Sequence, residues 1–203
     1  MTSMPDMPAM AMPDDAASFL RMWTVMMAAM MLPSLVPTLW RYRQATTNGG
    51  SSHPDALIVL AGAGYFMVWA AQGLVALLLL KLPAVEHAGP LASALVMLAA
   101  GALQLSAWKA HHLACCRRAA CERASRGAGR ALRYGLRLGF HCSCCCAGST
   151  AVLLVSGFMD LRAMVLATVA ITAERLAPSG QRAARLIGVL AMSAGLWIVA
   201  RAV

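Results

Sequence analysis

Cysteine and histidine are concentrated in two short segments of this 203-residue chain. The segment HCSCCC, residues 141–146, contains four of the seven cysteines. The segment KAHHLACCRR, residues 109–118, adds two more cysteines and two histidines. Thiolate and imidazole are the ligands that Zn(II) and Cu(I) prefer. The two segments therefore predict a site for a soft metal ion.

Helical spacing predicts that ligands from the two segments converge. Side chains three or four residues apart share a helix face, so the soft ligands of each segment fall one turn apart. Both segments flank one basic loop, which brings their ends to the same side of the fold. Two alternatives stay open, because cysteines also pack as small hydrophobes or carry out thiol redox chemistry. The candidate ligands are His112, Cys115, Cys116, His141, Cys142, Cys145 and Cys146.

Methionine provides a second set of soft ligands. Met22, Met26 and Met30 form a stripe at helical spacing, and Met27 and Met31 lie beside it. Thioether sulfur favours Cu(I) over zinc or magnesium and needs no deprotonation. The alternative is that the stripe only packs, since methionine is a flexible core filler. We predict Met22, Met26 and Met30 as metal contacts.

The N-terminal segment, residues 1–17, carries further methionines at positions 4, 7, 10 and 12. It contains no basic residue, and the apolar block after it is too long for a signal-peptide core. We therefore expect a flexible external tail that is retained. Its methionines have no core to fill, which favours capture of Cu(I).

The composition predicts an all-α fold, a polytopic membrane helical bundle. The chain is 60% hydrophobic and 12% charged, whereas soluble domains carry about 25% charged residues. A membrane helix needs about 20 apolar residues, and the apolar blocks predict about six transmembrane helices in one domain, residues 18–203. Pro33 and Pro37 should kink the first helix or end it early. The predicted spans are 18–40, 57–80, 90–108, 138–158, 163–177 and 186–201.

The basic residues indicate orientation rather than nucleic-acid binding, although the net charge is +9. They lie mostly between apolar blocks, and the richest stretch is the loop at about 109–137. The positive-inside rule makes this loop cytoplasmic and both termini external. Glu174 and Arg175 lie in the short fifth span. Charges within a membrane span are functional candidates, and the alternative is that the two charges only neutralise each other. Abundant arginine and alanine favour a bacterial source, and hence the inner (cytoplasmic) membrane.

Several motifs resemble those of a bacterial domain-of-unknown-function family, whose members are described as predicted metal-binding integral membrane proteins. The resemblance covers about residues 20–176. The family's C-x-x-C-C matches Cys142, Cys145 and Cys146, and its L-K-x-x-C-L-x-x-C-R has His112 and Cys116 at its cysteine positions. A histidine in place of cysteine keeps a soft ligand. The motifs are MWTVMMAAMMLP, GYFMVWAAQG, LQLSAWKAHHLACCR and LGFHCSCCCAGSTAVLLVSGFMDLRAMVLATVAITAER.

These features predict a metal-binding membrane protein that handles copper by capture, transfer or homeostasis. Cu(I) is the favoured ion and zinc the second. One alternative is a non-catalytic accessory or structural subunit of a larger membrane complex, packed through small residues; another is a thiol redox membrane protein. The sequence shows no P-loop, catalytic triad or dinucleotide fingerprint, which favours a non-enzyme. The expected partners are the lipid bilayer and either other complex subunits or a metallochaperone, without nucleic acid.

Overall fold

The computed structural model describes residues 15–81, 90–119, 127–156 and 160–202. These residues form α-helices and no strand, which confirms the predicted all-α class. Most of the methionine-rich tail, residues 1–14, lies outside the described residues. The helices are α1 Ala16–Asn48, α2 Pro54–Leu80, α3 Pro90–Leu105, α4 Ala107–Ala119, α5 Ala128–Ser156, α6 Leu161–Leu176 and α7 Gly180–Ala202.

Helix α1 continues through both of its prolines. Asp15 caps its first turn by accepting a hydrogen bond from the Ser18 backbone N–H at 3.3 Å. The prediction that Pro33 or Pro37 ends the helix early is wrong, because α1 continues to Asn48. Leu35, between the two prolines, is buried against other helices, and this packing holds the chain helical where two backbone donors are missing.

The described helices do not support six spans. By length and composition, α1, α2 and α7 are long and apolar enough to cross a membrane. Helices α3 and α4 are bent by 60° at a short break, and together they would count as a fourth, broken span. Helix α6 has only 16 residues, fewer than the roughly 20 that a spanning helix needs.

The break between α3 and α4 is at Ser106. The Ser106 hydroxyl accepts a hydrogen bond from the Lys109 backbone N–H at 3.2 Å, as an N-cap residue does. Helices α4 and α5 occupy residues 107–119 and 128–156, so most of the segment predicted as a basic loop is helical. Residues 120–126, which include Cys121, lie outside the described part.

Glycines bring α2 and α5 into close contact. A Cβ at Gly135 of α5 would overlap the carbonyl of Ala61. A Cβ at Gly139, one turn later, would lie 2.9 Å from the carbonyl oxygen of Tyr65. Only glycine allows backbones to approach so closely. The crossing sets the cysteine-bearing face of α5 beside Tyr65.

Candidate metal centre

Three cysteines of α5 lie within little more than one helical turn and form the centre of the site. Cys142, Cys145 and Cys146 have sulfur atoms that all lie within 4.8 Å of one another. Each is at most 1% exposed. The i, i+3 and i+4 spacing places them on one helix face, as the sequence predicts.

Helix α4 contributes a fourth thiol. The Sγ of Cys116 lies 4.0 Å from the Sγ of Cys145, which is itself 3.8 Å from the Sγ of Cys146. Cys116 is buried, and all four cysteines are free thiols. The structure thus brings together soft ligands from both cysteine-rich segments.

Helix α1 contributes a fifth sulfur. The Sδ of Met31 lies 3.9 Å from the Sγ of Cys142, and Met31 is fully buried. We refer to Met31, Cys116, Cys142, Cys145 and Cys146 as the sulfur cluster. With metal–sulfur bonds of about 2.3 Å, two ligands 120° apart have sulfurs about 4.0 Å apart. The spacing of neighbouring sulfurs therefore fits a shared metal ion.

A buried guanidinium and a phenol contact the cluster at Cys142. Arg175 donates to the Cys142 sulfur at 3.3 Å and to the Ser34 hydroxyl at 2.9 Å. The Tyr65 hydroxyl lies 3.1 Å from the same sulfur. An arginine is always charged, so its contact offsets the negative charge of a thiolate at this buried position.

A second buried charge pair fixes α4 against α6. The Lys109 ammonium lies 2.7 Å from a Glu174 carboxylate oxygen, and both side chains are at most 2% exposed. Gln104 donates to the other oxygen of Glu174 at 3.1 Å. Glu174 thus pairs with Lys109 rather than with Arg175. This leaves the charge of Arg175 directed at the sulfur cluster.

The two predicted histidine ligands contact each other. The Nδ1 atoms of His112 and His141 lie 3.0 Å apart, and both residues are half-buried. His112 precedes Cys116 by four residues and His141 precedes Cys145 by four. The pair therefore lies about one turn along both helices from the Cys116–Cys145 contact.

The remaining predicted ligands show other contacts, and their role as ligands stays a prediction. The Cys115 sulfur is 3.6 Å from the Nε2 atom of His111. Met26 and Met30 are buried in the hydrophobic core, and Met22 packs against it half-buried. The methionine found beside Cys142 is Met31, from the row adjacent to the predicted stripe.

Sequence reasoning did not assign Met31, Tyr65 or Arg175 to the site. For Arg175 a signal was present, because a charge within an apolar segment usually has a specific partner. Met31 and Tyr65 carry no such signal. Their contacts depend on how α1 and α2 cross α5.

Comparison with known families agrees with this geometry. A family model named PpoB2 and described as a copper chaperone matches residues 20–198. The chain belongs to the PpoB2 copper-chaperone family. No curated protein and no solved structure gave a match. Membership of PpoB2 and the three-cysteine group of α5 together support the predicted binding of copper.

Proposed function

We propose that this protein is a membrane-embedded copper chaperone that holds Cu(I) on the sulfur cluster and passes it to a partner. The observation that carries the proposal is the cluster itself. Four thiols and one thioether, from α1, α4 and α5, meet in a site whose members are at most 2% exposed. Such a site binds a metal ion and keeps it from water.

The donor set favours Cu(I) over zinc. Thiolate and thioether are the soft ligands that Cu(I) selects, and a neutral methionine adds little for Zn(II). Neighbouring sulfurs 3.8–4.0 Å apart fit a trigonal ion and a tetrahedral ion alike. The preference for Cu(I) therefore rests on the donor set, and zinc is the second candidate.

The apolar exterior supports a place in a lipid bilayer. Helices α1, α2 and α7 have the required length and hydropathy. Large apolar side chains face outward on several helices, including Val25 at 70% exposure and Leu190 at 68%. A soluble monomer rarely exposes apolar surface so extensively. We propose the bacterial inner membrane, with the arginine-rich side toward the cytoplasm.

Copper binding by matched cysteine variants tests the proposal. Protein purified in detergent without oxygen should bind one Cu(I) per chain, measured by competition with a chromophoric Cu(I) chelator. Cys145→Ser should lower the affinity by about 100-fold or more, because even residues that only support metal ligands contribute about 10–100-fold. Cys142→Ser should behave similarly.

Cys144→Ser is the matched control. Cys144 lies in the same helical turn but is only half-buried, and it points about 100° away from Cys145. The Cu(I) affinity of the Cys144→Ser protein should therefore stay within about threefold of that of the unaltered protein. A chain that binds no Cu(I), or an equal loss in the control, would contradict the proposal.

A further inference from the structure

A cavity of about 340 Å³ lies beside the sulfur cluster. Cys116 is one of the residues that line it, although only 2% of Cys116 is exposed. Helices α1, α4 and α6 form its walls. Ligand pockets for small molecules have volumes of about 300–1,000 Å³, so this cavity holds about one small thiol or one end of a larger complex, whereas a folded protein does not fit.

Three arginines, one from each wall helix, make the cavity strongly positive. They are Arg41 of α1, Arg117 of α4 and Arg175 of α6, and none of the described residues that line the cavity is acidic. We call it the arginine cavity.

Two of these arginines are held by hydrogen bonds, and the third lies at the surface. Arg117 donates to the carbonyl of Ala177 at 2.8 Å, and Arg175 donates to Ser34 at 2.9 Å. Arg41 is exposed. A fixed positive wall with an exposed positive side chain attracts an anion from solution and orients it.

This charge is the wrong sign for a free copper cation. Three guanidinium groups repel a cation and attract an anion, and arginine is suited to carboxylate recognition because its donors form a planar fork. We infer that the arginine cavity binds Cu(I) as an anionic complex with a small thiol that carries carboxylates, and that this complex delivers the ion to Cys116. The inference rests on the proposed function.

The transfer is a ligand exchange without electron transfer. A bis-thiolate complex of Cu(I) carries one negative charge. The thiols of Cys116 and Cys145, whose sulfurs are 4.0 Å apart, displace its two thiolates in turn. Each departing thiolate takes the proton of the entering thiol. Two free small thiols leave, and the protein holds Cu(I) on two thiolates with the same net charge.

Donors of different charge test this inference. The rate of Cu(I) transfer to the detergent-purified protein would be measured by stopped flow at low ionic strength. The donors are the bis-thiolate Cu(I) complexes of three thiols. The carboxylates of glutathione make its complex strongly anionic, the mercaptoethanol complex carries a single negative charge, and the ammonium groups of cysteamine make its complex cationic at neutral pH. The glutathione complex should transfer at least about tenfold faster than the cysteamine complex, and added salt should reduce the difference.

A pair of arginine variants localises the effect. Arg41→Gln should slow transfer from the glutathione complex about fivefold, because a charge at the rim of a binding site acts mainly on the association rate. It should slow transfer from the mercaptoethanol complex less, about twofold at most, because that complex carries only the single negative charge of its bis-thiolate core. Arg43→Gln is the matched control, since Arg43 pairs with Asp55 at 2.9 Å and does not line the cavity; its rates should change less than about twofold.

Equilibrium binding separates failure of the inference from failure of the proposed function. Arg41→Gln should bind one Cu(I) with unchanged affinity. Transfer rates that are equal for all three donors, or an equal effect of Arg43→Gln, would overturn the inference while copper binding stands. No copper binding from any donor would overturn both.

Discussion

Arg175 determines how much negative charge the sulfur cluster can hold, since it is the buried cation in contact with Cys142. Cu(I) held by two thiolates carries a net charge of −1, and a charge buried without a partner is costly. Arg175→Met should therefore lower the Cu(I) affinity by at least about tenfold, while Arg175→Lys should recover part of it, because a charge is kept but the planar fork of donors is lost. Competition with a chromophoric chelator measures both.

Arg162→Met is the control for this change, because Arg162 lies on the same helix and is exposed. The Cu(I) affinity of the Arg162→Met protein should equal that of the unaltered protein. Thermal unfolding of each variant without metal shows whether the helices still pack. An Arg175→Met protein that folds and binds Cu(I) as tightly as before would show that the guanidinium does not support the cluster.

At the same scale, spacing alone predicts which thiols of α5 lie together. Residues 142, 145 and 146 share a face in any helix. Spacing cannot predict the contacts made by Arg175, because they depend on the position of α6 relative to α1 and α5. The sequence also leaves the partner of Glu174 open, and the structure assigns it to Lys109, 65 residues earlier.

At the scale of elements, α4 and α5 contact each other through two successive pairs of soft ligands. The first is His112 with His141, and the second, about one turn further, is Cys116 with Cys145. The histidine pair is half-buried, and the cysteine pair is buried. Along this helix pair, half-buried imidazoles therefore give way to buried thiols.

This arrangement predicts a graded effect of His112. His112→Ala should lower the Cu(I) affinity by about tenfold, the lower end of the 10–100-fold range for a residue that supports a metal site without binding the metal. His112→Cys should preserve the affinity, because it keeps a soft ligand at the same position. His111→Ala is the control, since His111 lies beside Cys115. A loss for His112→Ala as large as for Cys145→Ser would make the histidine a primary ligand.

The break at Ser106 also belongs to this scale. A hydropathy profile merges α3 with the start of α4, because no charged residue or proline separates them. The serine hydroxyl caps α4 and allows the 60° bend. A serine three residues before a lysine is too common a pattern to predict this.

For the whole molecule, the cluster joins helices that are far apart in sequence, so metal binding should stabilise the fold. An ion present at 100 times its dissociation constant adds about 2.7 kcal/mol. For a chain of this size that corresponds to a rise in Tm of about 5–10 °C. Ag(I), a redox-inert analogue of Cu(I), should produce this rise, and Zn(II) a smaller one.

The double variant Cys142→Ser, Cys145→Ser is the control for thermal stability. It should unfold at the same temperature with and without Ag(I), measured by the loss of helical circular dichroism. A rise that persists in this variant would place the ion elsewhere, and a larger rise with Zn(II) would favour zinc as the cargo.

The glycine crossing of α2 and α5 restricts which substitutions the structure can accommodate. The Ala61 carbonyl occupies the space that a side chain at position 135 would need. Position 142 lies seven residues further along α5, about two turns away and on the same face. Any side chain at 135 therefore lifts the face that carries Cys142 away from Tyr65. The position of Cys142 in the sulfur cluster therefore depends on the absence of a side chain two turns away.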